Sequence, residues 1–179
     1  MRMNRAKSVV AAVTVAAGLV FGLGATPASA YAEGHTTIRN GASGLCLEVA
    51  DWRTDNGAPV RQWQCTGGAN QRWDIVPTWI GIYPSGVSVI RNQYSGKCLE
   101  IADWGTNYGA SARQWDCTGG ANQHWDVREH DSSMPPVPIK NENSGQCLEI
   151  AGFSTAWGAQ ASQWGCNGGA NQTWNYFMG

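Results

Sequence analysis

Apolar and polar side chains alternate with a period of two along the segments that lie between glycine-rich stretches. In Cys46-Leu47-Glu48-Val49, Leu47 and Val49 fall on one face and Cys46 and Glu48 on the other. In Val60-Arg61-Gln62-Trp63, Arg61 and Trp63 lie together with Val60 and Gln62 opposite, so Gln62 is expected on the core side with internal hydrogen bonds. Between these predicted strands Asn56-Gly57 is a turn signal, and Thr66-Gly67-Gly68-Ala69 marks a second turn. A further strand is predicted around residues 80–83, leading through Pro84-Ser85-Gly86 into Val87–Arg91. Beyond an N-terminal apolar run, no segment sustains a 3.6-residue apolar period, so the chain is predicted to be all-β.

The pattern is written three times. Ile38-Arg39-Asn40, Cys46-Leu47-Glu48-Val49-Ala50, Gln62-Trp63, Cys65 and Asn70-Gln71-Arg72-Trp73 form the first copy. The second has Ile90-Arg91-Asn92, Cys98-Leu99-Glu100-Ile101-Ala102, Gln114-Trp115, Cys117 and Asn122-Gln123-His124-Trp125. The third has Ile139-Lys140-Asn141, Cys147-Leu148-Glu149-Ile150-Ala151, Gln163-Trp164, Cys166 and Asn171-Gln172-Thr173-Trp174. First cysteines stand 52 and then 49 residues apart, and the step to the second cysteine is always 19. A fixed period of this size means one supersecondary unit used repeatedly. About four short strands per unit, with a constant interior and variable joints, predict a closed three-fold body.

Residues 1–30 stand outside that body. Arg2, Arg5 and Lys7 precede an apolar run from Val9 to Gly24, and Ala28-Ser29-Ala30 has the small-x-small form of a cleavage site. This order predicts a secretory signal removed after Ala30, leaving one domain over 31–179 with units at about 36–85, 86–135 and 136–177. No second long apolar run follows, so no membrane insertion is expected. The other Lys and Arg residues are outnumbered by Asp and Glu, and no basic tract occurs, which argues against nucleic acid as a partner.

Six cysteines in a secreted chain predict three disulfides, for which fifteen pairings exist in principle. Equivalent units most simply close their own bonds, giving Cys46–Cys65, Cys98–Cys117 and Cys147–Cys166. A zinc site would need C-x-x-C pairs or histidines at repeated positions, and the sequence has neither. Asp51–Gly57 is a poor match to a calcium loop, with its glycine one place late and no closing Glu in register. No metal or cofactor is expected.

Gln-x-Trp closing each unit (Gln71-Arg72-Trp73, Gln123-His124-Trp125, Gln172-Thr173-Trp174), after a Cys-Leu-x-hydrophobic strand and a Trp-x-Cys strand, resembles the ricin B-type lectin repeat. The resemblance covers nearly all of residues 31–179. It implies a β-trefoil, a six-stranded barrel capped by three hairpins, with one potential sugar site on the flank of each unit. It also implies that Trp73, Trp125 and Trp174 belong to the core.

Carried onto this chain, the family's acid for paired sugar hydroxyls is Glu48, Glu100 and Glu149, and its stacking ring is Trp63, Trp115 and Trp164. Asn70, Asn122 and Asn171 are implied to bind a hydroxyl, and Gln71, Gln123 and Gln172 to support the acid or the sugar. Two departures stand out. Glu replaces the usual Asp in all three units, and Arg61 and Arg113 stand where a polar ligand is common, either donating to the sugar or pairing with Glu48 and Glu100. Trp52, Trp104 and Phe153 are alternative platforms, and Asn56, Tyr108 and Trp157 form one varying loop position. The third unit differs most, with Gly152 and Ser162 replacing the Asp and Arg of the other two.

These features predict a secreted, non-catalytic lectin for glycans or polysaccharides with up to three sites. A glycosidase would need two carboxylates facing one bond, and each unit repeats only one. A protease inhibitor would need a protruding loop, and the longest unrepeated stretch, Asp126–Pro138, contains Pro135-Pro136 and reads as a stiff connection.

Overall fold

The computed structural model describes residues 35–80, 83–127 and 136–178, so the predicted leader and most of the 126–138 connection lie outside the described residues. Twelve strands occur among the described residues. The first unit supplies β1 (Thr36–Asn40), β2 (Cys46–Val49), β3 (Val60–Trp63) and β4 (Arg72–Ile80). The second supplies β5 (Tyr83–Asn92), β6 (Cys98–Ile101), β7 (Ala112–Trp115) and β8 (Trp125–Val127). The third supplies β9 (Val137–Asn141), β10 (Cys147–Ile150), β11 (Ala161–Trp164) and β12 (Thr173–Met178).

Antiparallel pairing runs β1–β4–β5–β8–β9–β12 and back to β1, which closes a six-stranded barrel. The hairpins β2–β3, β6–β7 and β10–β11 join it at Arg39↔Cys46, Arg91↔Cys98 and Lys140↔Cys147. This is the β-trefoil. Closure leaves the barrel without an open edge. The strand break was misplaced from sequence: Pro84, Ser85 and Gly86 lie inside β5, whose Pro84 pairs with Trp79 across a register shift after Pro77. Thr78 Oγ1 donates to Val87 O at 2.9 Å and contacts Ser85 Oγ, tying that irregular stretch together.

Leu47, Val49, Val60 and their repeats fill the core with Trp73, Trp125 and Trp174, all fully buried. Each indole Nε1 donates to the carbonyl of the Leu in its own unit, Leu47, Leu99 or Leu148, at 2.9–3.0 Å, so no donor is left unpaired. The three cysteine pairs are bonded within their units as predicted. Each closes a loop of some 20 residues, a constraint of roughly 3 kcal/mol on the unfolded chain.

Buried amides join the units. Gln62 Nε2 donates to Ser154 O and Ala156 O of the third unit, at 2.8 and 2.9 Å, while its Oε1 accepts from Ser43 Oγ. Gln114 grips Arg53 O and Asp55 O of the first unit in the same way, and Gln163 grips Gly105 O and Asn107 O of the second. Asn92 Nδ2 donates to Asn70 O and Asn141 Nδ2 to Asn122 O, so the Asn ending each Ile-x-Asn strand fixes the Asn-Gln turn of another unit.

Candidate functional site

A cleft of about 170 Å3 opens on the flank of the first unit, with Glu48 and Asn70 at its floor and Asp51, Trp52, Arg61 and Trp63 around it. Cross-strand pairing of Glu48 with Arg61 puts the two side chains opposite each other. Arg61 Nε donates to Glu48 Oε1 at 3.0 Å, and Nη2 donates to Asp51 Oδ1 at 2.8 Å. Burial acts against the Arg61 charge, but the bonds to Glu48 and Asp51 outweigh it and raise the guanidinium pKa above its usual value. Glu48 Oε2 accepts from Asn70 Nδ2 at 3.3 Å and Gln71 Nε2 at 3.0 Å. Glu48 is thus only 4% exposed, and the alternation correctly assigned its face while missing that this face is covered too.

The loop after β2 carries Asp51 and Trp52 in consecutive left-handed conformations, φ 55° and 56°. Non-glycine residues pay roughly 1–2 kcal/mol each for this geometry. It is held by Ala50 N donating to Pro59 O and Arg53 N to Ala50 O, and by Arg61 on Asp51. Trp52 then lies against the backbone of Gly68, where a Cβ would come within 2.7 Å of Cζ2. That contact explains the glycine. Asp51 remains 71% exposed at its side chain and Trp52 48% exposed.

The second unit repeats the arrangement in a cleft of about 200 Å3. Arg113 donates to Glu100 and Asp103, Asn122 and Gln123 donate to Glu100, and Trp104 lies on Gly120. Asp103 and Trp104 again have φ of 52° and 55°. In the third unit Asn171 and Gln172 donate to Glu149 Oε2, but Ser162 faces Glu149 across the strands and Gly152 replaces the loop Asp.

Arg61, Trp63, Asn70 and Gln71 gather around Glu48, Arg113, Trp115, Asn122 and Gln123 around Glu100, and Asn171 and Gln172 around Glu149, while Trp164 lies beside Tyr108. In every unit the Gln amide donates to the acid, and the Asn amide does so as well. Asn70 spends both amide hydrogens on Glu48 and Val49 O, and Gln71 spends its own on Glu48 and Gln64 O while accepting from Thr66 N. Asn122, Gln123, Asn171 and Gln172 do the same in their units. Arg61 and Arg113 pair with Glu48 and Glu100. Each guanidinium also covers a tryptophan ring, at 4.6 Å from the Trp63 centroid and 4.3 Å from that of Trp115. Trp164, with no arginine beside it, is exposed. The open rings in the first two clefts are thus Trp52 and Trp104. Both were named from sequence as alternative platforms, and Gly68 and Gly120 record where those rings rest. Among the described residues, no cluster of His, Cys, Asp and Glu is arranged to hold a metal. No helix among them is long and apolar enough to cross a membrane.

A β-trefoil barrel with a polar and aromatic cleft on the flank of its repeats defines a lectin-type scaffold. Residues 34–134 match the ricin-type beta-trefoil lectin domain, and residues 122–177 match the ricin-type beta-trefoil lectin domain-like family. The chain belongs to the ricin-type β-trefoil lectins and is a carbohydrate-binding lectin by family. It is 30% identical to the designed three-fold symmetric protein ThreeFoil, covering 80% of this chain and 97% of that one at a TM-score of 0.73. It is 29% identical to 1,3Gal43A, an exo-β-1,3-galactanase from Clostridium thermocellum, covering 80% of this chain and 30% of that one, also at a TM-score of 0.73. Serine protease 1 of Rarobacter faecitabidus is 30% identical over a match covering 50% of this chain. The chain spans 23% of that protease's length.

Proposed function

We propose that the first two flank clefts each hold one sugar residue without altering it, and that the protein acts as a secreted, multivalent glycan binder. The observation that carries this reading is an exposed indole on a strained loop beside an arginine and a carboxylate that still have free hydrogen-bonding capacity. A pyranose needs an aromatic surface for its C–H face and fixed polar groups for its hydroxyls. Trp52 supplies the first. A carboxylate has about four acceptor positions, and three protein donors reach Glu48, so one position remains for a hydroxyl. Asp51 accepts a second hydroxyl, and the remaining N–H groups of Arg61 donate. Asn70 and Gln71 act from behind by fixing Glu48. Glu100, Asp103, Trp104, Arg113, Asn122 and Gln123 repeat these roles, with Trp63 and Trp115 as walls under the arginines.

At the third site, Glu149, Trp164, Asn171 and Gln172 make a neutral-edged, more aromatic variant with Phe153. The clefts are smaller than the roughly 300–1,000 Å3 that enclose drug-sized ligands, which suits one ring or the end of a chain. Glycoside hydrolysis calls for an acid and a base on either side of a bond. In the first cleft both carboxylates engage one guanidinium, which favours binding over chemistry. Three disulfides favour an oxidising, extracellular setting.

The relationship to a galactanase makes galactose-containing polymers the first to try. Affinity electrophoresis through gels containing galactan or xylan tests the reading. Retardation of the wild type, lost on combining Asp51→Ala with Asp103→Ala, is expected. Equal retardation of that variant would remove the acids from the site.

A further inference from the structure

Each flank site has an edge built by a different unit. Gly158 N donates to Gln62 O at 2.8 Å while Gln62 Nε2 holds Ser154 O and Ala156 O, so the loop of the third unit is clamped along β3 of the first. Gly158 takes φ 82°, and a Cβ there would come within 3.4 Å of Cζ3 of Trp63. Trp157 is thereby set beside Trp63, ring centroids 5.6 Å apart and tilted 48°. The loop of the second unit is clamped to β11 in the same manner, which brings Tyr108 to 4.8 Å from Trp164 at 31°. The loop of the first unit is clamped to β7, but it presents Asn56, whose Nδ2 donates to Asp116 Oδ2 at 2.7 Å and whose Oδ1 accepts from Asp116 N at 3.0 Å. The Lys97 ammonium, and after it the Asn56 amide, hold the Asp116 carboxyl below its usual range, so this third edge stays charged.

Trp157 and Tyr108 are 56% and 60% exposed, so core burial does not account for two large aromatic rings at this position. Their backbones are nevertheless fixed by hydrogen bonds from another unit, which lowers the ordering cost of stacking a ligand on them. Trp63 is the shared element, lining the first cleft on one side and touching Trp157 on the other. We propose that Trp157 and Tyr108 are extension subsites, each taking the second ring of a sugar chain whose first ring occupies the flank site of the first and third unit respectively. At the second cleft the Asn56–Asp116 pair offers hydrogen bonds and no stacking surface, so that site reads a chain end alone. The varying loop position therefore sets the chain-length preference of a neighbouring unit, not of its own. This inference rests on the sugar-binding reading above.

Calorimetry with galactose and xylose, and with their two- and four-residue oligomers, tests it. The wild type should bind the oligomers roughly tenfold more tightly than the monosaccharide, the gain expected of one added aromatic contact. Trp157→Ala combined with Tyr108→Ala should abolish that gain and leave monosaccharide affinity within about twofold, while Asn56→Trp should create a gain at the second site. Oligomer affinity that stays high in the double variant, or that falls in step with monosaccharide affinity, would overturn the extension subsites while leaving the clefts in place. If the wild type bound none of these probes, the flank-site reading itself would fail and this inference with it.

Discussion

The side-chain amide of Gln62 holds the main chain of Ser154, 92 residues away and in another unit, through a 2.8 Å hydrogen bond. Because Gln114 and Gln163 make the equivalent bonds, the loops that carry Asn56, Tyr108 and Trp157 are fixed by their neighbours. The pseudo-three-fold symmetry is therefore a ring of mutual supports, with each unit holding a loop of another.

Gln62→Ala leaves Ser154 O, Ala156 O and Ser43 Oγ without this partner, and an unmet buried polar group costs about 1–3 kcal/mol. The expected result is faster hydrogen exchange at the Gly158 amide, with the Gly57 and Gly109 amides unchanged. Uniform exchange across all three loops would show that the clamp acts globally.

Trp73→Ala should cost about 3–5 kcal/mol in urea denaturation, because it empties a fully buried indole site and orphans the Leu47 carbonyl. Trp52→Ala should cost less than about 1 kcal/mol, since that ring is half exposed. Comparable losses for the two would contradict their assignment to core and cleft.

The repeat made a closed three-fold all-β body and the disulfide pairing legible, while the trefoil and the buried role of Trp73 followed from the resemblance to the ricin B-type repeat. Gln62 was legible as a buried amide, but not its partners, which lie 92 and 94 residues away. The division of labour within the site was not legible either. Glu in place of Asp lengthens the side chain, yet only the fold shows that Arg61, Asn70 and Gln71 converge on it. The left-handed backbone at Asp51 and Trp52 was hidden for a different reason: Asp tolerates positive φ and Gly152 stands at the same place in the third unit, but Trp carries no such signal, and the geometry is enforced by bonds to distant residues.

Arg61→Ser gives the first cleft the cross-strand pair found in the third unit. It removes charge-assisted bonds to Glu48 and Asp51, a loss of roughly 1.5–3 kcal/mol per bond at the buried end. It also uncovers the face of Trp63, so acrylamide quenching of tryptophan fluorescence should increase. Unchanged quenching would mean the guanidinium does not shield the ring in solution.

Single shallow sites should bind free monosaccharide at around millimolar Kd, about −4 kcal/mol. Three sites on one rigid body can raise retention on a polymer by roughly 10²–10⁴-fold through effective concentration. Surface plasmon resonance on immobilised polysaccharide should show slow release of the wild type and fast release once Trp52→Ala and Trp104→Ala leave one working site. Identical release rates would limit the protein to a single functional site.

The most direct measurement is a glycan array probed with the protein and with the triple variant Trp52→Ala, Trp104→Ala, Phe153→Ala, after near-UV circular dichroism has shown both to be folded. Binding of the wild type to a defined set of glycans, lost from every one of them in the variant, is the predicted result. Retention of the same glycans by the variant, or an array on which the wild type binds nothing, would contradict the assignment of sugar binding to these three flank sites.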